Sequence, residues 1–179
     1  AGLVAWALIE TIRDGKATAV GMATGAVAGL VGITPAAGFV SPASGMLIGA
    51  ITSSLCYVSV KVKIKLSFDD SLDTFAVHGV GGTVGAILTG LFAKAELISS
   101  HPAGFVLAEK GRIGLVLGQF QAVLIAYGIA AFGTLIIALI LKSLGCNYRV
   151  EKNEEDAGLD ISEHGEEAYV ERTGSPNAI

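Results

Sequence analysis

Charged residues are scarce in this sequence. They make up 16% of the 179 residues, whereas a soluble domain usually carries about 25%. The formal net charge is −4, and nine of the 16 acidic residues lie beyond residue 150. No part of the chain offers a basic face for phosphates, so we expect no nucleic-acid partner. Neither a nucleophile–base pair nor a nucleotide motif is present, and we expect no enzyme and no cofactor.

Long uncharged stretches dominate what remains. Apolar residues make up 52% of the chain, and residues 17–60, 74–93 and 113–141 contain no charged side chain. About 20 apolar residues span a bilayer as a helix, and Pro35 and Pro42 break the first stretch into two. The sequence therefore predicts an all-α integral membrane protein. We expect a helical bundle with four complete transmembrane spans, at residues 17–33, 43–60, 74–93 and 113–141.

The two ends of the chain differ in character. Residues 1–9 are apolar and precede Glu10, so we interpret them as the end of a fifth span. On this interpretation the chain is the C-terminal part of a longer protein, or a truncated product. Residues 1–143 are predicted to form a membrane domain, and residues 144–179 a polar tail.

Lysine and arginine in the connecting segments predict the orientation. One side of the bundle receives eight of these residues and the other side three. The richer side is expected to be cytoplasmic, which gives a multi-pass protein of the cell membrane with a cytoplasmic C-terminus. Cys56 and Cys146 then lie on the reducing side, and we expect no disulfide.

His78 is the main candidate for chemistry. It is the only ionisable side chain between Thr74 and Ala93, and ionisable groups inside a span usually face a cavity or a partner. A neutral imidazole can relay a proton or bind a small polar solute. The alternative is a structural histidine that bonds a neighbouring carbonyl. We expect His78 to line a pore, together with Thr74 and Val77. We expect no metal, because no second metal ligand lies at suitable spacing from His78.

Two further groups have a structural and a functional interpretation. Asp70 and Asp73 precede the His78 helix, where carboxylates cap helices; alternatively they form a cytoplasmic vestibule for a cation or a partner. The acidic tail is either a solvated end or an ordered arm, since apolar residues such as Leu159 and Ile161 are interspersed in it. We expect residues 158–169 to be ordered.

Four stretches carry a family resemblance. Residues 16–42 are rich in small residues and contain Thr-Pro-Ala-Ala-Gly-Phe at 34–39, and residues 69–82 read D-D-x-x-D-x-F-x-V-H-G-V-G-G. A long last apolar stretch follows, and the tail contains G-L-D-x-x-x-H-G-E-x-A-Y at residues 158–169. In this order they resemble the Amt branch of the Amt/Mep/Rh ammonium transporters, over nearly the whole chain.

The resemblance implies a fold and a function. The family has eleven spans with the C-terminus inside, and forms homotrimers with one narrow, hydrophobic pore per subunit. This chain then supplies spans 7 to 11, and His78 is similar to the second of two pore histidines. The implied function is transport of ammonium or ammonia. A Rh-like gas channel is disfavoured by the tail motif; an ammonium sensor with a signalling tail and a non-functional fragment remain as alternatives.

The resemblance also implies regulation at the tail. Signalling proteins of the PII type bind the cytoplasmic pore mouth of many members. Ser162 lies where plant members carry a regulatory threonine. The remaining tail residues that match the family motif, and that we expect to be regulatory, are Gly158, Asp160, His164, Gly165 and Tyr169.

Overall fold

Every regular element of the described chain is a helix. The computed structural model describes residues 1–146 and 148–166. Its helices are α1 (Gly2–Asp14), α2 (Ala19–Ile33), α3 (Pro42–Lys65), α4 (Val80–Phe92), α5 (Ala95–Ile98), α6 (Pro102–Ser143), α7 (Lys152–Ala157) and α8 (Leu159–Ser162). Four segments are long and apolar enough to cross a membrane: Ala19–Ala36, Pro42–Lys65, Phe75–Phe92 and Pro102–Ser143. The predicted all-α bundle with four spans is confirmed.

Local hydrogen bonds explain where α2 and α3 begin. The Thr18 hydroxyl accepts the Gly21 N–H, and Glu10 in turn accepts the Thr18 N–H at 2.9 Å. At α3 the Ser41 hydroxyl accepts the Ser44 N–H, with Pro42 at the first helical position. Polar side-chain oxygens at N-caps and proline at the first turn are favoured because the first N–H groups have no helical partner.

Glycine determines how closely the helices cross. A Cβ at Gly25 would lie 2.3 Å from the Trp6 Cβ, and a Cβ at Gly85 would lie 2.3 Å from the Gly32 carbonyl oxygen. Such distances leave no room for a methyl group. The absence of a side chain at these glycines therefore lets α2 pack closely against α1 and α4. Gly21, Gly25 and Gly29 recur every four residues along α2, and a Cβ at each would meet an atom of α1.

A short helix comes before the last predicted span. Helical residues run from Pro102 to Ser143 as α6, but Gly111, with φ 67° and ψ −170°, is non-helical and divides α6 into a short helix before it and a long helix after it. The long part agrees with the predicted span at 113–141. The segment after α4 is therefore largely helical, as α5 and the first turns of α6. The charged residues of this segment exclude a membrane span, but they do not exclude a helix outside the apolar region.

The chain divides into two compact units, Ala1–Gly128 and Ile129–Ile179. In the first unit, Trp6 packs edge-on against Tyr57 with ring centroids 5.3 Å apart, in a core that also contains Ala28, Cys56 and Val77. In the second unit, α7 begins with a capping box between Glu151 and Glu154. The predicted domain division at residues 143/144 stays a prediction.

Candidate functional site

His78 lies in a π-helical turn, Phe75–Gly79, that leads directly into α4. In this turn the Val80 N–H bonds to the Phe75 carbonyl, five residues back, instead of four as in an α-helix. Turns of this kind are frequent at functional sites, because the extra residue re-aims the side chains around it. The turn thus gives His78 a setting that a regular helix would not provide.

The three predicted pore residues do not share one environment. Val77 is only 4% exposed and belongs to the core cluster of the bundle. His78 and Thr74 are both exposed on this chain. The π turn therefore brings the imidazole and the Thr74 side chain to accessible positions, while it directs Val77 inward against α1, α2 and α3.

Side chains from two other helices bond to the carbonyls of the π turn. The Tyr127 hydroxyl, from α6, donates to the Gly79 carbonyl at 3.1 Å and lies 2.8 Å from the Thr83 hydroxyl oxygen. Thr83 itself donates to the same carbonyl at 2.8 Å. The buried Cys56 thiol, from α3, contacts the Val77 carbonyl at 3.8 Å. Both residues that flank His78 are thus bound through their carbonyl oxygens.

The aspartates before the turn have structural partners. One Asp70 oxygen accepts the Thr74 N–H and the other accepts the Phe75 N–H, each at 2.9 Å. Asp73, whose φ is 55°, forms an ion pair with Lys63 of α3. Asp70 thus caps the His78 segment, and Asp73 ties it to α3. The vestibule role of both residues stays a prediction.

A further charged group lies at the end of α1. The Asp14 carboxylate accepts hydrogen bonds from the Lys61 ammonium and the Tyr57 hydroxyl, each at 3.0 Å. These two bonds, the one from Lys61 above all, lower the pKa of the Asp14 carboxyl below its usual value. Asp14 therefore stays ionised and links α1 to α3 at the side that sequence analysis predicts to be cytoplasmic.

The described part of the tail has local order. Ser162 donates to the Gly158 carbonyl at 3.0 Å, and the Glu166 N–H bonds to the Asp160 carbonyl at 2.9 Å. Gly158 and Gly165 have φ of 99° and 66°, a region that favours glycine. His164 is exposed beside Gly165. Tyr169, the last predicted tail residue, lies outside the described residues.

Sequence analysis missed Tyr127, Thr83 and the contact of Cys56. For Cys56 the sequence predicts only a reduced thiol that forms no disulfide. A signal for Tyr127 does exist, since a phenol in the middle of a 29-residue uncharged stretch needs a hydrogen-bond partner. The sequence does not say which partner, because Tyr127 and Gly79 are 48 positions apart.

Comparison with known proteins gives concordant results. The pattern of the Ammonium Transporter Family matches residues 1–169. An ammonium transporter of Bacillus subtilis is 42% identical over 170 residues, which are 94% of this chain, and one of Aquifex aeolicus is 44% identical over 93% of it. The crystal structure of Saccharomyces cerevisiae Mep2 superimposes with a TM-score of 0.67 at 34% identity, over 97% of this chain and 39% of that one.

The matches cover only part of each relative. The chain spans 41% of the Bacillus subtilis protein and 38% of the Aquifex aeolicus protein. The segment that matches the family pattern contains the π turn, His78 and the tail up to residue 169.

Proposed function

The chain belongs to the ammonium transporter family, and on this premise we propose that the complete protein moves ammonium or ammonia across the cell membrane through a pore that His78 lines. The membrane part needs no proposal, since every regular element in the described residues is a helix and four segments there are long and apolar enough to cross a membrane. The observation that carries the pore assignment is the exposed imidazole in a π turn, within an otherwise uncharged membrane segment. Exposure of His78 leaves its ring accessible to a pore or to further spans.

Physical chemistry favours passage of the neutral molecule past His78. A bare ammonium ion in a dry pore would incur a desolvation cost on the order of 20 kcal/mol. Deprotonation before the narrow region removes most of that cost. A neutral imidazole can then accept an N–H bond from ammonia with one nitrogen and donate with the other. A second pore histidine, outside this chain, completes the pair that the family resemblance implies.

Replacement of His78 tests the pore assignment. In the complete protein, His78→Ala should lower methylammonium uptake at least tenfold, because the pore loses its polar contact. His101→Ala is the matched control: His101 is also exposed, but its Nδ1 accepts the Ala103 N–H in the first turn of α6 and its ring packs against Phe39. Wild-type uptake by a normally expressed His78→Ala protein would contradict the role.

Assembly and regulation belong to the same proposal. We expect a homotrimer with a cytoplasmic C-terminus, in which the tail from Gly158 to Tyr169 acts as a regulatory arm. A PII-type signalling protein is the expected partner at the cytoplasmic face. The local hydrogen bonds of Ser162 and the two left-handed glycines support this, since a merely solvated tail does not need them.

The proposed regulatory role of the tail can be tested by mutation. Gly165→Asp, at φ 66°, should impair uptake although it lies far from His78 in sequence, because an aspartate strains this turn and adds charge. Asp156→Asn, on exposed α7, is a matched control outside the motif. If deletion of residues 158–169 leaves uptake and its regulation unchanged, the tail is not a regulatory arm. A strain whose ammonium response fails while uptake persists would instead favour the sensor alternative.

A further inference from the structure

We infer that Tyr127 is a positioning residue for His78, which acts through the Gly79 carbonyl together with Thr83. This inference rests on the proposed role of His78 in the pore. It concerns α6, a helix that contributes no proposed pore residue. The juxtaposition is specific. The Tyr127 hydroxyl contacts both the backbone carbonyl of Gly79, the residue after His78, and the hydroxyl of Thr83 in α4.

The backbone of the π turn departs from regular α-helical bonding. A five-residue bond between the Val80 N–H and the Phe75 carbonyl replaces the regular α-helical bonding in this segment. π turns occur as single insertions and are less favourable than continuous α-helix, so they persist where side chains from elsewhere stabilise them. Donors from outside the turn are present on both sides of His78, at the carbonyls of Val77 and Gly79.

Hydrogen-bond geometry distinguishes the two donors. Tyr127 lies within 3.1 Å of the Gly79 carbonyl and 2.8 Å of the Thr83 oxygen, both ordinary hydrogen-bond distances. The Cys56 thiol is a weak donor, and 3.8 Å is long even for sulfur. We therefore assign the positioning role to Tyr127 and treat Cys56 as core packing beside it.

The membrane strengthens this pairing. In the apolar region no water is available to a phenol or to a carbonyl, so each must find its partner within the protein. Thr83 can give its one proton to the Gly79 carbonyl, while Tyr127 gives its proton either to that carbonyl or to the Thr83 oxygen. Tyr127, Thr83 and Gly79 thus form a triangle of hydrogen bonds. The two bonds of Tyr127 in this triangle form only when α6 is in place.

This arrangement makes the direction of the His78 ring dependent on α6. If the triangle is lost, the turn can relax towards α-helical bonding, with the Val80 N–H bonding to Ala76. A change from five-residue to four-residue bonding shifts the helix by one residue. It rotates the side chains before the turn relative to those after it by about 100°. His78 would then leave the position from which it meets the solute, without any change of its own chemistry.

The test uses the complete protein with Tyr127→Phe, Thr83→Val and the double variant. Tyr127→Phe removes one hydroxyl and keeps the ring. Tyr148→Phe is the matched control, since the Tyr148 hydroxyl also donates to a backbone carbonyl, that of Ala138, remote in sequence from His78. Methylammonium uptake is measured over pH 5.5–8.5, and the structure of each variant is determined by electron cryomicroscopy.

We expect Tyr127→Phe to lower the maximal uptake rate about three- to tenfold, the effect of one lost hydrogen bond, and to alter the pH profile. The double variant should show α-helical bonding at residues 75–80. Tyr148→Phe should behave as wild type. A purely structural role would lower the amount of folded protein but leave the pH profile of the remaining uptake unchanged, and that result would overturn the inference.

The two proposals fail in different ways. If His78→Ala abolishes uptake while the double variant keeps the wild-type rate, pH profile and π turn, the positioning role is wrong and the pore role stands. If His78→Ala leaves uptake unchanged, the pore role is wrong. The variant structures then decide the remaining point: an unchanged π turn in the double variant overturns the role of Tyr127, and a relaxed turn supports it.

Discussion

Asp70 has two interpretations, as a helix cap and as part of a cytoplasmic vestibule. Its two carboxylate oxygens accept separate backbone N–H groups, from Thr74 and Phe75, at the start of the segment that carries His78. A carboxylate is suited to this place because the first N–H groups of a helix lack partners and carry partial positive charge. Capping therefore accounts for Asp70, whether or not it also faces a vestibule.

Replacement of Asp70 should reveal the cap. We expect Asp70→Ala to lower the free energy of unfolding by about 1–2 kcal/mol, because two N–H groups lose their acceptor. Asp70→Asn keeps one acceptor and should lose less. Thermal unfolding of the purified complete protein in detergent measures both, with Asp156→Ala as the exposed-carboxylate control. If Asp70→Ala and Asp156→Ala unfold at the same temperature, Asp70 is not a cap.

At the scale of elements, the helix crossings depend on glycine positions that differ sharply in available space. A Cβ at Gly85 of α4 would lie 2.3 Å from the Gly32 carbonyl oxygen of α2, a backbone atom that cannot turn aside. At Gly118 of α6 an added Cβ meets no atom within 4 Å in the described chain. The two glycines thus serve different purposes, although both lie in apolar helices.

This contrast gives a matched pair of variants. Gly85→Ala should destabilise the protein by about 1–3 kcal/mol, since α2 and α4 must move apart. Gly118→Ala should be neutral or slightly stabilising, because alanine favours a helix over glycine by about 1 kcal/mol. The yield and thermal midpoint of each purified protein provide the comparison. Equal losses in both variants would mean that the α2–α4 contact does not limit stability.

At the scale of the whole molecule, the two cysteines report on topology. Cys56 is fully buried in the first unit and Cys146 is exposed just after α6; both thiols are free. The burial of one and the exposure of the other make Cys146 a natural label site. Sequence analysis predicts that it lies on the cytoplasmic side.

Labelling should follow that prediction. In a complete protein without other cysteines, a membrane-impermeant maleimide should not react with Cys146 in intact cells but should react in everted vesicles. Cys146→Ser should abolish the signal in both, because Cys56 remains inaccessible. Labelling of Cys146 from the outside of intact cells would reverse the proposed orientation.

Spans and their number were predictable from the sequence because hydropathy is a local property. An uncharged run of about 20 residues must be helical in lipid wherever it lies, and the Pro35–Pro42 break and the four spans follow from that alone. His78 was identifiable for the same reason: an ionisable group within such a run is conspicuous. The short helices before Gly111 were not, since charged segments outside the apolar region carry no hydropathy signal.

Tertiary structure alone decided which way neighbouring residues of the site point. His78 and Val77 are adjacent in sequence, yet one is exposed and the other is buried against α1, α2 and α3. Both lie in the π turn, which has no sequence signature. The carbonyls of this turn accept hydrogen bonds from residues up to 48 positions away, such as that from Tyr127 to Gly79. Pairings of this range form only when the helices pack, and so the sequence specifies the histidine but the fold specifies its direction.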